Sequence, residues 1–123
     1  MIADKRQRHR WTREDEILCL ALYYHLPPEE RNKTTNPKIQ ALAEVLDISP
    51  GSIKLKLQNI KSLDKSYTAN GRKGLVNASR LSREIAAEFI GNRAALFQQA
   101  DILKRQYGLD ADYRPVARTD GAT

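Results

Sequence analysis

The residues best suited to chemistry lie in one glycine-rich stretch, NGRKGLVNASR, at positions 70–80. Its glycines let the backbone turn tightly or lie close to a ligand, and Arg72 and Lys73 between them carry positive charge. Asn77 or Ser79 can cap a following helix. Each feature suits a phosphate, so the stretch is a candidate anion-binding loop.

Positive charge is concentrated in particular parts of this chain of 123 residues, whose net charge is +6. Residues 51–80 hold seven basic residues and a single acidic one, and the first 13 residues are also basic. Residues 14–50 lean acidic. Such segregation predicts a basic face that meets a polyanion, with DNA or RNA as the leading candidates.

Catalytic and metal chemistry have little support in the sequence. A metal-dependent nuclease needs clustered carboxylates or histidines, whereas Glu14, Asp15 and Glu16 fall at a predicted helix start, where capping explains them. Cys19 is the single cysteine and is interpreted as a buried small hydrophobe. The GRKG sequence lacks the spacing of a phosphate-binding P-loop. We therefore predict no enzyme activity, no metal and no cofactor.

A membrane location is not expected either. No apolar run approaches the roughly 20 residues that a membrane span needs, and the N-terminus, MIADKRQRHR, lacks the apolar stretch of a secretory signal. The default expectation is a cytoplasmic protein.

Capping residues and apolar spacing predict five helices. The first three cover residues 13–26, 37–46 and 50–63, with N-caps at Thr12, Asn36 and Ser49. A fourth helix is capped by Ser79 or Ser82, and a fifth begins after Asn92 and ends at Gly108, with Leu96, Ala100, Leu103 and Tyr107 as a core or seam stripe. The predicted fold is an all-α small bundle of about five helices. Its predicted organisation is a basic arm (1–10), a helical recognition domain (11–108) and a tail or truncated linker (109–123).

The second and third helices, joined by a tight turn, predict a helix-turn-helix-like unit. The second helix of such a unit commonly lies in the DNA major groove. On the third helix, Lys54 and Lys61 flank one side of the apolar stripe, and Ser52, Lys56 and Asn59 flank the other. Leu55 points away from the core. The alternative is that the two helices are an ordinary packed pair, because any two packed helices joined by a short turn resemble a helix-turn-helix.

Three segments in order carry a resemblance: WTREDEILCLALYYHLP, NPKIQALAEVLDISPGSIKLKLQNIKSLD and GRKGLVNASRLSREI. Over roughly residues 10–105 the chain resembles the N-terminal recognition domain of bacterial modification-dependent HNH restriction endonucleases. Within that group it is most similar to the DNA sulfur-binding domain, which recognises phosphorothioate linkages. No HNH segment is present, so the resemblance implies a chain that binds double-stranded DNA, with the nuclease located elsewhere as a fused or partner domain.

The resemblance also implies roles for residues of the loop. Val76 and Ala78, with Tyr23 or Tyr24 as an aromatic wall, would form the sulfur-contacting surface. The other DNA contacts of the loop would come from Arg72, Lys73, Gly74, Asn77, Ser79 and Arg80. On the third helix, the helix-turn-helix interpretation assigns DNA contacts to Ser52, Lys54, Lys56 and Asn59. Two other functions stay open: a helix-turn-helix regulator of ordinary duplex DNA, and a protein-docking module that uses the last helix.

Overall fold

The computed structural model describes residues 10–64, 79–89 and 91–116, and these residues form an all-α bundle, as predicted. Its five α-helices are α1 (Arg13–His25), α2 (Pro37–Leu46), α3 (Pro50–Leu63), α4 (Arg80–Phe89) and α5 (Arg93–Gln106). A short 3-10 helix, Pro28–Glu30, follows α1. The sole β pairing within the described residues is an isolated bridge between Leu109 and Pro115.

Side-chain caps begin the helices where the sequence predicts them. Thr12 forms a capping box with Asp15, and the side chains of Asn36, Ser49 and Asn92 accept hydrogen bonds from backbone N–H groups of α2, α3 and α5. Ser79 is the cap of α4, because its hydroxyl accepts a hydrogen bond from the backbone N–H of Ser82. The predicted starts of all five helices are therefore confirmed.

Helix α1 lies at the centre of the bundle and packs against α3, α4 and α5. Every residue from Asp15 to Tyr23 is buried, so α1 has no solvent-exposed face along most of its length. A helix that is buried on all sides needs partners around its whole circumference. The stripe on α5 supplies part of this cover, since Leu96 and Ala100 are fully buried.

Helices α2 and α3 form the predicted helix-turn-helix-like unit. The turn is at Asp47, whose backbone adopts the left-handed conformation (φ 59°, ψ 46°), and the backbone N–H of Ile48 donates to Ala43 O. Short polar residues such as aspartate tolerate this conformation better than bulky ones. Ser49 then caps α3 directly. The turn fixes α3 against α2 and leaves one face of α3 toward solvent.

Residues 109–116 belong to the fold, which corrects the expectation of a tail for this described part of residues 109–123. Leu109 and Tyr113 are 1% exposed, and the Tyr113 hydroxyl donates a 3.4 Å hydrogen bond to the backbone oxygen of Leu18 in α1. The folded body therefore extends beyond residue 108, because two apolar side chains anchor the segment in the core. Among the described helices, none combines the length and the apolar character that crossing a membrane requires.

Candidate nucleic-acid interface

The solvent face of α3 is the first part of the candidate interface. Leu55 is 59% exposed and Gln58 is exposed beside it. Lys54 and Lys61 lie along one edge of this face, two helical turns and roughly 10 Å apart along the axis. Lys61 is exposed and Lys54 half-buried. The predicted outward direction of Leu55 is confirmed, and α3 presents a face with an apolar centre and a basic edge.

Ser52 and Asn59 lie on the other edge of α3 and are both half-buried. The Ser52 hydroxyl is 3.1 Å from the Ser49 hydroxyl, so it takes part in the helix start. Asn59 lies two turns further along, and its backbone oxygen accepts a hydrogen bond from the Ser62 hydroxyl. The two predicted contact residues are therefore close to the surface at one edge of the helix, with the Ser52 hydroxyl partly committed to capping.

Lys56 has a different environment from the one predicted, because its side chain lies in the protein interior. Its ammonium donates to Glu16 Oε2 (2.7 Å) and to the Ser82 hydroxyl (3.0 Å), and the Ser82 hydroxyl donates to Glu16 Oε1 (2.8 Å). The Trp11 ring lies over the ammonium at 4.3 Å. We call Lys56, Glu16 and Ser82 the buried ionic network. Lys56 therefore connects α1, α3 and α4 in the interior and is not positioned to contact DNA.

The same network corrects the interpretation of the acidic residues at the start of α1. Asp15 does cap the helix, since its side chain accepts the backbone N–H of Thr12 at 3.2 Å. Glu16, in contrast, is 2% exposed and is the partner of Lys56. Its role depends on two helices that are distant in sequence, and the local pattern of acidic residues gives no signal of it.

The two tyrosines at the end of α1 differ in accessibility. Tyr23 is 2% exposed, its hydroxyl donates to Asp64 Oδ2 (2.7 Å), and the Arg31 guanidinium covers its ring at 3.7 Å. Burial and the hydrogen bond to Asp64 raise the pKa of Tyr23 above its ordinary value. Tyr24 is half-buried under the guanidinium of Arg93, 4.1 Å from its ring. A buried, covered Tyr23 cannot serve as an open aromatic wall, and Tyr24 is the more accessible of the pair.

Most of the predicted loop lies outside the described residues, namely Arg72, Lys73, Gly74, Val76, Asn77 and Ala78. Its last two predicted residues are described. Ser79 is exposed, and its hydroxyl caps α4. The Arg80 side chain is 91% exposed and forms an ion pair with Glu84 at 3.1 Å. Arg80 is therefore a surface cation at the beginning of α4, as its predicted DNA contact requires.

A small open recess lies between the 3-10 helix and α3, with a volume of about 140 Å³. Its exposed lining is about half polar and half apolar and consists of Pro28, Arg31, Asn32, Leu57, Gln58 and Lys61. Arg31 was not a predicted site residue, because it lies in a polar loop with no motif around it. The recess shares Gln58 and Lys61 with the exposed side of α3, so it extends the basic edge of that helix.

Cysteine, histidine and acidic side chains are the groups that could carry catalysis or hold a metal ion. Cys19 is fully buried, which raises the pKa of its thiol and confirms its interpretation as a buried hydrophobe. In the described ranges, no three histidine, cysteine or acidic side chains come together in a way that could hold a metal ion. The described residues form a small helical domain. The second helix of its helix-turn-helix-like unit presents a basic, partly apolar surface.

Comparisons of the chain with protein-family models, with curated proteins and with solved structures found no match.

Proposed function

We propose that this chain is a DNA-binding module that recognises phosphorothioate-modified duplex DNA and directs a nuclease located elsewhere. The observation that carries the DNA-binding part is the solvent face of α3, where the basic edge of Lys54 and Lys61 adjoins exposed Leu55 and Gln58. Lysine side chains along a helix contact phosphates, and the amide and apolar groups between them suit base edges. The proposal includes a cytoplasmic location, because the restriction endonucleases that the sequence resembles are bacterial.

The phosphorothioate part of the proposal rests on the sequence resemblance and on the physical difference between sulfur and oxygen. Sulfur is larger and more weakly hydrated than oxygen, so an apolar surface accepts it while an ordinary phosphate loses hydration there without compensation. Val76 and Ala78 remain the predicted sulfur-contacting residues, and Arg72 and Lys73 the predicted loop cations.

The test is a titration of the protein into two short duplexes that differ in one phosphorothioate, at near-physiological salt. We expect the sulfur-containing duplex to bind at least tenfold more tightly, a difference of about 1.4 kcal/mol. Replacing Val76 and Ala78 together with serine should reduce this preference. Lys54→Ala should weaken binding to both duplexes, whereas Arg105→Ala on α5 is the matched control. Equal affinity of the unaltered protein for the two duplexes would reject sulfur recognition.

A regulator of ordinary DNA is the second candidate, favoured by the helix-turn-helix-like unit itself. In that function α3 reads base edges in the major groove through residues on its exposed face. Selection from a random duplex pool distinguishes the two candidates. A defined operator sequence, bound equally well with and without sulfur, would support the regulator, and recovery of no sequence would exclude it.

A further inference from the structure

Arg31 is held in place on one side of its guanidinium group. Its Nε donates a 2.8 Å hydrogen bond to the backbone oxygen of Tyr23, and the guanidinium carbon lies 3.7 Å from the centre of the Tyr23 ring. No other residue within the described ranges forms a hydrogen bond with its two terminal nitrogens. A guanidinium fixed in this way keeps an oriented pair of donors and loses little further entropy when it binds.

The other lining residues complete a set of groups suited to an oxygen anion. Lys61 brings a second cation, and the side-chain amides of Asn32 and Gln58 can donate hydrogen bonds. Asp64, which accepts the Tyr23 hydroxyl, offsets part of the positive charge. The recess has a volume of about 140 Å³, and about 10–15 Å³ of such volume is enough to hold one water molecule. This space accommodates a phosphate group.

We propose that this recess binds an ordinary, oxygen-only phosphate of the DNA backbone, with Arg31 as its principal ligand. The inference rests on the proposed DNA-binding function and assigns the recess to a phosphate other than the modified one. Planar guanidinium groups pair bidentately with phosphate oxygens. The proposed function assigns the sulfur contact to Val76 and Ala78, so the recess, with Arg31 and Lys61 in its lining, is assigned an oxygen-only phosphate. Arg31 should thus contribute to affinity without contributing to the preference for sulfur.

The experiment measures the affinity of Arg31→Ala for both duplexes at several salt concentrations. We expect about a tenfold loss for each duplex, typical of a hydrogen bond between charged groups, with an unchanged ratio between them. The slope of log affinity against log salt should fall by about 0.9, corresponding to one phosphate contact. Arg31→Lys keeps the charge without the planar fork and should lose part of the affinity. Arg105→Ala removes one exposed positive charge elsewhere and is the control.

Because Arg31 also bonds to the Tyr23 backbone, Lys61→Gln provides a second variant, and thermal unfolding midpoints are measured for each. Lys61→Gln should likewise lower the affinity for both duplexes by the same factor. The inference is overturned if Arg31→Ala binds both duplexes with unaltered affinity, or if either variant changes the sulfur-to-oxygen ratio. If the unaltered protein shows no sulfur preference while Arg31→Ala still weakens both duplexes, sulfur recognition fails and the phosphate site stands.

Discussion

The buried ionic network offers the most demanding test of the packing, through the change Lys56→Met. Methionine is unbranched and apolar, so it can fill the space of the lysine stem, but it cannot donate to Glu16 or Ser82. The Glu16 carboxylate, 2% exposed, would then keep only the Ser82 hydroxyl of its two donors in the network. The change therefore isolates the effect of an uncompensated buried charge.

The expected loss is large because both members of the ion pair are almost completely removed from solvent, at 7% and 2% side-chain exposure. Removing one partner of a buried pair costs about 3–5 kcal/mol. The total free energy of unfolding of a domain is only about 5–15 kcal/mol. Lys56→Met should therefore lose a large part of the stability of the protein, even though methionine is well suited to a core.

Urea unfolding followed by circular dichroism measures this loss as a change in the free energy of unfolding. Adding Glu16→Gln to Lys56→Met removes the stranded charge and should restore most of the stability. Arg13→Met is the control, because it breaks a bidentate pair with Glu88 whose side chains are 44% and 42% exposed. Solvent screening should make its loss much smaller. A loss from Lys56→Met no larger than that from Arg13→Met would show that burial of the ion pair does not determine its cost.

Three further predictions concern other parts of the molecule. Tyr113→Ala should lower the free energy of unfolding by about 3–5 kcal/mol, the cost of truncating a large buried aromatic, and a loss under about 1 kcal/mol in urea would show that the segment is not anchored. Leu55→Ser should change the free energy of unfolding by no more than about 0.5 kcal/mol because the side chain is exposed, and should weaken DNA binding severalfold in the duplex titration; unchanged binding would remove Leu55 from the interface. Burial of His25, with Lys104 and Lys38 nearby, lowers the pKa of its imidazole in the folded protein. As the pH falls below about 6.5, His25 is therefore protonated in the unfolded chain before it is protonated in the folded chain. The free energy of unfolding should decline slightly as a result. Unfolding curves at pH 7 and pH 5 should show a smaller difference in His25→Gln, and an equal difference would assign the effect to other groups.

Local signals in the sequence were sufficient to predict the helices. Asn36-Pro37 and Ser49-Pro50 each place a capping side chain before a proline that is already suited to the first helical turn, and α2 and α3 begin there. These signals act within a few residues, so they do not depend on the rest of the fold. The outward direction of Leu55 followed from helical periodicity in the same way.

The environments of Lys56 and Tyr113 could not be predicted from local patterns. Lys56 lies at the side of the apolar stripe of α3, and it is buried only because Glu16 and Ser82, 40 and 26 residues away, supply its partners. Tyr113 follows a segment with few apolar residues, and its burial depends on α1. The recess with Arg31 likewise requires that the 3-10 helix and α3 come together. Each of these features arises from contacts between distant parts of the chain.

The central position of α1 determines when the fold can form during synthesis. Helix α1 precedes all its partners in the chain, yet its contacts reach Ser82, 66 residues after Glu16, and Tyr113, 95 residues after Leu18. At a synthesis rate of roughly 5–20 residues per second, on the order of 5–20 s pass between the synthesis of α1 and that of its last partner. The apolar surface of α1 is not fully buried during this interval. Chaperones that hold apolar helices can bind α1 in this interval, and the complete bundle assembles only once α5 and Tyr113 have emerged.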